Sequence, residues 1–189
     1  MAKAQVRYQG RVLTGGASSG PDLLTSVEEE FIAARDSFYM ASVTESGWPY
    51  VQHRGGPAGF LRVLAPDLIG FADVRGNRQM LTTGNVSAND RVALILVDYP
   101  QRSRLKIIGH ASIVPAAEDP ALAASLQVSG MTPAERLVKI KVVAFDWNCP
   151  KYITPRYTLA EIEAAMAPLR DRIKELETLV GKAGLRNSE

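Results

Sequence analysis

Phe38-Tyr39-Met40-Ala41-Ser42-Val43-Thr44 and Trp48-Pro49-Tyr50-Val51-Gln52, joined by Glu45-Ser46-Gly47, decide the fold. Two strand-like arms around a three-residue, glycine-containing turn predict an antiparallel hairpin. The pattern repeats outward. Phe60–Leu64 and Leu68–Ala72 form a second pair around Ala65-Pro66-Asp67. Arg91–Asp98 contains Val92-Ala93-Leu94-Ile95-Leu96-Val97, a continuous apolar run expected of a strand buried on both faces. Leu105–Val114 and Val138–Trp147 read as further strands, so the chain is mainly β with flanking helices, an α+β protein.

The helices are set by capping chemistry. Thr25 with Glu28 forms a capping box, which starts a short helix running to Arg35 with Val27, Phe31 and Ala34 on one face. Short helices are also predicted over Asn77–Thr83, Pro120–Val128 and Pro133–Leu137, with Asn85–Asp90 a turn-rich link. Thr158 with Glu161 caps a long C-terminal helix ending near Val180, before Gly181. Its Ile162, Met166, Leu169, Ile173, Leu176 and Val180 form an apolar stripe suited to core or dimer packing. Residues 1–24, with Gly15-Gly16-Ala17-Ser18-Ser19-Gly20-Pro21, read as an N-terminal arm. The expected division is then a barrel over 25–157 and a helix with tail over 158–189.

Composition narrows the function. The 189 residues are 46% hydrophobic and 22% charged, with a net charge of +2, which gives no support to general nucleic-acid binding. No membrane span or secretory signal is evident, so a cytoplasmic protein is expected. A single cysteine excludes an internal disulfide, and two histidines make a protein-built metal site an unattractive reading. Three basic clusters lie between the strands: His53-Arg54-Gly55-Gly56, Arg75-Gly76-Asn77-Arg78-Gln79 and Arg102-Ser103-Arg104-Leu105-Lys106. Strand ends that offer amides and cations suit a phosphorylated, planar cofactor. Solvated surface is the plain alternative for each cluster, but glycines beside the arginines permit close approach of a ligand.

The hairpin Ala41–Tyr50, the segment Phe71-Ala72-Asp73-Val74-Arg75-Gly76-Asn77-Arg78 and the run Arg104-Leu105-Lys106-Ile107-Ile108-Gly109 resemble the pyridoxamine phosphate oxidase-like superfamily. The resemblance implies a six-stranded split β-barrel of the FMN-binding type, a homodimer holding FMN between subunits. It places backbone along the flavin ring at Gln52, His53, Arg54 and Gly55, with Gly56 beside them. It puts the phosphate grip on Gly76-Asn77-Arg78, where a serine and one cation of the family pattern are missing. Arg78 then carries more of the load, helped by Arg75 or Gln79, and Asp73 is counted with the cofactor-binding residues; the plain alternative is a surface Arg78 paired with Asp73 or Asp90. A flavin-contacting glutamine of the family falls on Arg104. The runs His53–Pro57 and Asp146–Arg156 are similar to a branch of uncharacterised flavin-nucleotide-binding proteins.

Each candidate has a plain alternative. His53 reads equally well as a strand histidine with one structural hydrogen bond. Lys106 shares a sheet face with Arg104, and a solvated face is the commoner outcome for it. Trp147 and Lys151 are expected to line the groove wall; Cys149 reads as structural rather than reactive, and His110 as structural. The authentic oxidase carries an arginine-rich substrate motif where this chain has a helix, so oxidation of pyridoxamine phosphate is not expected. The implied activity is a flavin-dependent oxidoreductase using small-molecule donors and acceptors. A non-catalytic flavin store, a deazaflavin protein and a haem-binding barrel using His53 or His110 are the alternatives.

Overall fold

The computed structural model describes residues 22–76, 80–147 and 151–186. The chain divides into two compact units. One holds the residues up to Asp98 together with Arg102–Lys151; the other holds Tyr99–Gln101 and the chain from Tyr152 onward.

The first unit is a seven-stranded antiparallel sheet. Its strands are β1 (Ser37–Val43), β2 (Pro49–Gly55), β3 (Leu61–Ala65), β4 (Leu68–Val74), β5 (Arg91–Asp98), β6 (Ser103–Pro115) and β7 (Ala134–Trp147). Helices α1 (Ser26–Ala33), α2 (Leu81–Ala88) and α3 (Pro120–Leu126) flank it. The strand order is β2-β1-β5-β6-β7-β4-β3, so β1 and β4 are separated by three strands. Even so, the Phe38 ring of β1 lies 5.4 Å from Phe71 of β4, and Phe60 stacks on Phe38 at 5.5 Å. A flat sheet could not bring these rings together. The sheet curls on itself into a split barrel, with the three phenylalanines closing its core.

The β1–β2 hairpin forms as its turn chemistry predicts. Gly47 takes a positive φ of 87°, and Thr44 and Trp48 close the turn by backbone hydrogen bonding. The strand count is seven where the resemblance implies six; all seven strands overlap segments that read as strands in the sequence. Other expectations need correction. Pro133–Leu137 is not helical: Ala134 onward is the start of β7, where Arg136 pairs with Asp73 and Pro115 across two neighbouring strands. Ala, Glu, Arg and Leu are all good helix formers, and sheet pairing overrides that preference. Strand β5 is not buried on both faces. Val92, Leu94 and Leu96 face the core, while Ala93 is exposed and Ile95 and Val97 are half-buried. Helix α2 begins at Leu81 and continues through Asn85, which is buried and donates to Ser42 Oγ at 2.9 Å. The predicted link at Asn85–Asp90 is therefore helical through Ala88.

Helix α1 starts at the predicted capping box, with Thr25 and Glu28 both engaged. Its inward face differs from the expected one. Ile32 and Glu28 are buried, whereas Val27 is 62% exposed. Glu28 is drawn inward because its carboxylate serves two elements. It accepts from the Thr25 backbone at 2.9 Å and hydroxyl at 2.6 Å, and from Trp147 Nε1 at 2.7 Å. Trp147, at the end of β7, also packs edge-on against Phe31 of α1.

In the second unit, α4 (Leu159–Arg186) starts behind Thr158, whose backbone and hydroxyl both donate to Glu161. The helix passes through Gly181 rather than ending there, since one glycine costs a helix only about 1 kcal/mol. The Arg156 guanidinium sits over the Tyr99 ring at 4.9 Å. Within its own unit, the predicted apolar stripe of α4 is not buried.

Burial alone would raise the pKa of Glu28, but the hydrogen bonds from Thr25 and Trp147 outweigh it and hold the carboxyl below its usual 4.5. A depressed carboxyl pKa adds stability that is present above the unfolded value and lost as pH falls through the folded one. Glu28→Gln is expected to cost about 1–2 kcal/mol at neutral pH. It should also remove part of the stability lost by the native protein below pH 4.5. Urea unfolding at pH 7 and at pH 3.5 to 4 (about one half to one unit below that value) measures both; equal differences at the two pH values would contradict the assignment.

Candidate functional site

Strand β2 is one edge of the sheet order, and β4 lies near the opposite end. Curling brings them face to face. Arg54 of β2 donates from Nη1 to Asp73 Oδ1 of β4 at 3.0 Å. Arg136 of β7 meets the other carboxylate oxygen, with Nε and Nη2 each 2.8 Å from Asp73 Oδ2. Asp73 is buried, so this triad is a polar latch across the seam of the barrel. The latch ties β2 to the paired strands β4 and β7, with which β2 shares no sheet hydrogen bond.

A cavity of about 280 Å³ opens at this seam. Its β2 wall is Gln52, His53, Arg54 and Gly55, and its β4 wall runs from Phe71 to Val74, with Gly76 beyond. Leu81, Thr82 and Thr83 of α2 close a third side. Thr82 Oγ1 donates to Gln52 Oε1 at 2.8 Å, which ties α2 to β2 at the cavity rim. Met80, the residue before α2, takes a positive φ of 50° and provides no side-chain cap, so the first amides of α2 have no side-chain partner of that kind.

The electrostatics are balanced rather than strongly cationic. Arg54 and Arg136 face Asp73, and Glu135 lies 3.6 Å from Arg136. The informative atom is Arg54 Nε, which is buried and has no hydrogen-bond partner among the described residues. A buried guanidinium N–H without an acceptor is costly, and it marks a place where an acceptor belongs. Gly55 adds room for close approach, since a Cβ there would already stand 3.0 Å from the His53 ring.

The structure brings Gln52, His53, Arg54, Gly55 and Asp73 together at one cavity, with Arg75 exposed beside Gly76. His53 also packs against Tyr39, ring to ring at 5.3 Å. Gly56 follows the β2 wall, where a Cβ would strike the Phe60 ring. Asn77, Arg78 and Gln79, the expected phosphate grip, lie outside the described residues, as does Cys149. Helix α2 starts after Met80, so the expected helix start at Asn77 is not where the described helix begins. Other candidates do not line this cavity. Lys106 pairs with Asp146 at 3.0 Å and borders a separate apolar hollow. Trp147 is held by Glu28, Lys151 is exposed, and His110 pairs with Asp90 at 2.9 Å. Arg104 is half-buried on β6, and its Nε is likewise buried without a partner.

Arg136 and Thr82 are the site residues that sequence reasoning missed. The alternation Val138-Lys139-Ile140-Lys141-Val142 marks the strand, but its phase breaks at Leu137-Val138, so no local signal carried it back to Arg136.

A model of the pyridoxamine 5'-phosphate oxidase family matches residues 24–147. The chain belongs to this family, which is one of flavin-binding proteins. No protein of curated function matches the sequence. Among solved structures, the HupZ protein of Group A Streptococcus aligns with a TM-score of 0.54 at 15% identity, covering 71% of this chain and 100% of that one. A putative pyridoxamine 5'-phosphate oxidase of Lactobacillus delbrueckii aligns with a TM-score of 0.50 at 19% identity, covering 66% of this chain and 94% of that one. These likenesses establish the fold. Among the described residues, no helix is long and apolar enough to cross a membrane.

Removing Asp73 leaves two half-buried guanidiniums without the buried carboxylate they share, so Asp73→Ala is expected to cost about 3 kcal/mol. An ordinary surface pair would cost about 0–1 kcal/mol. Urea unfolding of the two proteins separates the cases, and a loss in the lower range would show that the latch does not hold the seam.

Proposed function

We propose that the protein binds FMN at the seam cavity and works as a homodimeric, flavin-dependent oxidoreductase. The orphaned Arg54 Nε carries this reading: it is a buried donor without an acceptor, set in the β2 wall where a flavin lies in the resemblance. The residues fit such a ligand. Arg54 is oriented by Asp73 and keeps an N–H for a ring carbonyl or phosphate oxygen. Thr82 and Thr83 stand at the uncapped start of α2, a setting that favours an anion. Because the cavity's own charges nearly cancel, Arg75 and the Asn77–Gln79 segment are assigned the remaining charge of the phosphate.

Bound FMN would supply hydride transfer, and the chain's contribution is binding, orientation and electrostatics. Phe60 and Phe71 wall the cavity and keep water from part of it, while Arg54 stabilises negative charge built up on a ring oxygen. A second copy is assigned to the outer face of β1, β2, β5 and β6. There Tyr39, Ala41, Val51, Ala93, Ile95 and Ile108 border an apolar hollow of about 230 Å³ that one chain leaves open. Arg104, whose Nε is buried with no partner among the described residues and which lies outside its own chain's cavity, is assigned to the flavin of that second copy.

Titration with FMN, followed by flavin fluorescence, tests the assignment. Arg54→Ala should weaken binding about tenfold or more, as expected for loss of one charge-assisted hydrogen bond. Anaerobic addition of NADH or NADPH should bleach the bound flavin. Unchanged affinity in Arg54→Ala would overturn the site, and a bound flavin that no donor reduces would make the protein a binding module instead.

A further inference from the structure

Helix α4 carries an apolar seam with no counterpart inside its own unit. Leu159, Ile162, Met166, Leu169, Ile173, Leu176 and Val180 follow one another at alternating steps of three and four residues. All seven are exposed, from 42% for Ile162 and Met166 to 79% for Leu159. The seam from Leu159 to Val180 spans about 32 Å at 1.5 Å per residue, and an apolar seam of that length in water needs a partner. A strict 3.5-residue repeat is the narrow seam of a coiled coil rather than the wide stripe of a helix packed on a globular core.

From these residues we infer that α4 pairs with α4 of a second copy as a parallel, two-stranded coiled coil. The inference is independent of the flavin reading. With Leu159 at heptad position a, the a positions are Leu159, Met166, Ile173 and Val180, and the d positions are Ile162, Leu169 and Leu176. In the C-terminal half this places β-branched residues at a and leucine at d, the combination that favours two parallel strands. Flanking charges choose the same arrangement. In a parallel pair, Arg172 at g faces Glu177 at e of the second copy, and symmetry makes this contact twice. The antiparallel alignment that keeps the layers from Ile162 to Val180 would set Arg170 against Arg170, Arg172 against Arg172 and Glu163 against Glu177. Every one of those contacts is repulsive.

Nothing within the helix opposes the pairing. Arg172 contacts Glu175 of its own helix at 2.8 Å, but both side chains are exposed, so that contact yields readily to a better one. Pro168 falls at position c, away from the seam, where it removes one backbone hydrogen bond without entering the interface. The helix has five acidic and five basic residues, a balance unlike the basic faces that bind anionic membranes.

The test uses the full chain with Cys149→Ser, so that an introduced cysteine is the sole thiol. Leu176→Cys at position d should form a disulfide-linked dimer under mild oxidation, because in a parallel, in-register pair the two d residues are adjacent. Thr178→Cys, at the outward f position, should link at least tenfold more slowly. Adding Arg172→Glu to Leu176→Cys should slow linking about tenfold, and further adding Glu177→Arg should restore it. Three outcomes would overturn the inference: no linked dimer from Leu176→Cys, equal linking from Thr178→Cys, or no effect of Arg172→Glu. A monomeric chain that sediments with lipid vesicles would overturn it in favour of a membrane surface.

Discussion

The Arg54–Asp73–Arg136 latch is the interaction on which both the barrel and its cavity depend. The sheet order leaves β2 and β4 without a shared hydrogen-bond ladder, so side chains must close the seam. Phe38, Phe60 and Phe71 supply the apolar part of that closure and the buried carboxylate supplies the polar part. The Arg54 guanidinium also lies 5.8 Å from the centre of the Phe71 ring, so the polar and apolar contacts meet at one residue. A buried ion triad is poor value as stabilisation, because desolvation offsets much of the attraction. Its worth lies in geometry: it fixes Arg54 in the cavity wall while leaving the Nε–H without a partner among the described residues.

The rest of the first unit supports that wall by polar anchors placed between elements. Thr82 meets Gln52, Asn85 meets Ser42, and together they seat α2 against the β1–β2 hairpin. On the other flank, Glu28 ties α1 to the end of β7 through Trp147. Arg35 extends the same helix–sheet joint, reaching Asp98 of β5 at 2.6 Å. Each anchor joins residues far apart in sequence, so each is invisible to any local pattern.

That distinction explains how much could be read beforehand. The hairpin, the β3–β4 pair and both capping boxes are local, and turn or cap chemistry alone locates them. His53 and Arg54 stood out as a basic pair followed by two glycines, and it was the family resemblance that implied a flavin wall over Gln52, His53, Arg54 and Gly55. Arg136 was not legible, because Ala134-Glu135-Arg136-Leu137 has helical propensity and only pairing with β4 and β6 makes it a strand. The apolar run of β5 promised burial on both faces, and one chain buries a single face. Trp147 and Lys106, attractive as site residues by type, have side-chain partners that depend on α1 and on β7. The outer face of β5 shows the same limit: its apolar residues are exposed or half-buried in a single chain, and an apolar run by itself does not say what covers it.

The absorbance spectrum of the purified protein, followed by heat release of any chromophore, tests the central claim most directly. Flavin bands with FMN in the supernatant, or flavin bands gained on adding FMN, are the predicted result. A colourless protein that takes up no added FMN would contradict it.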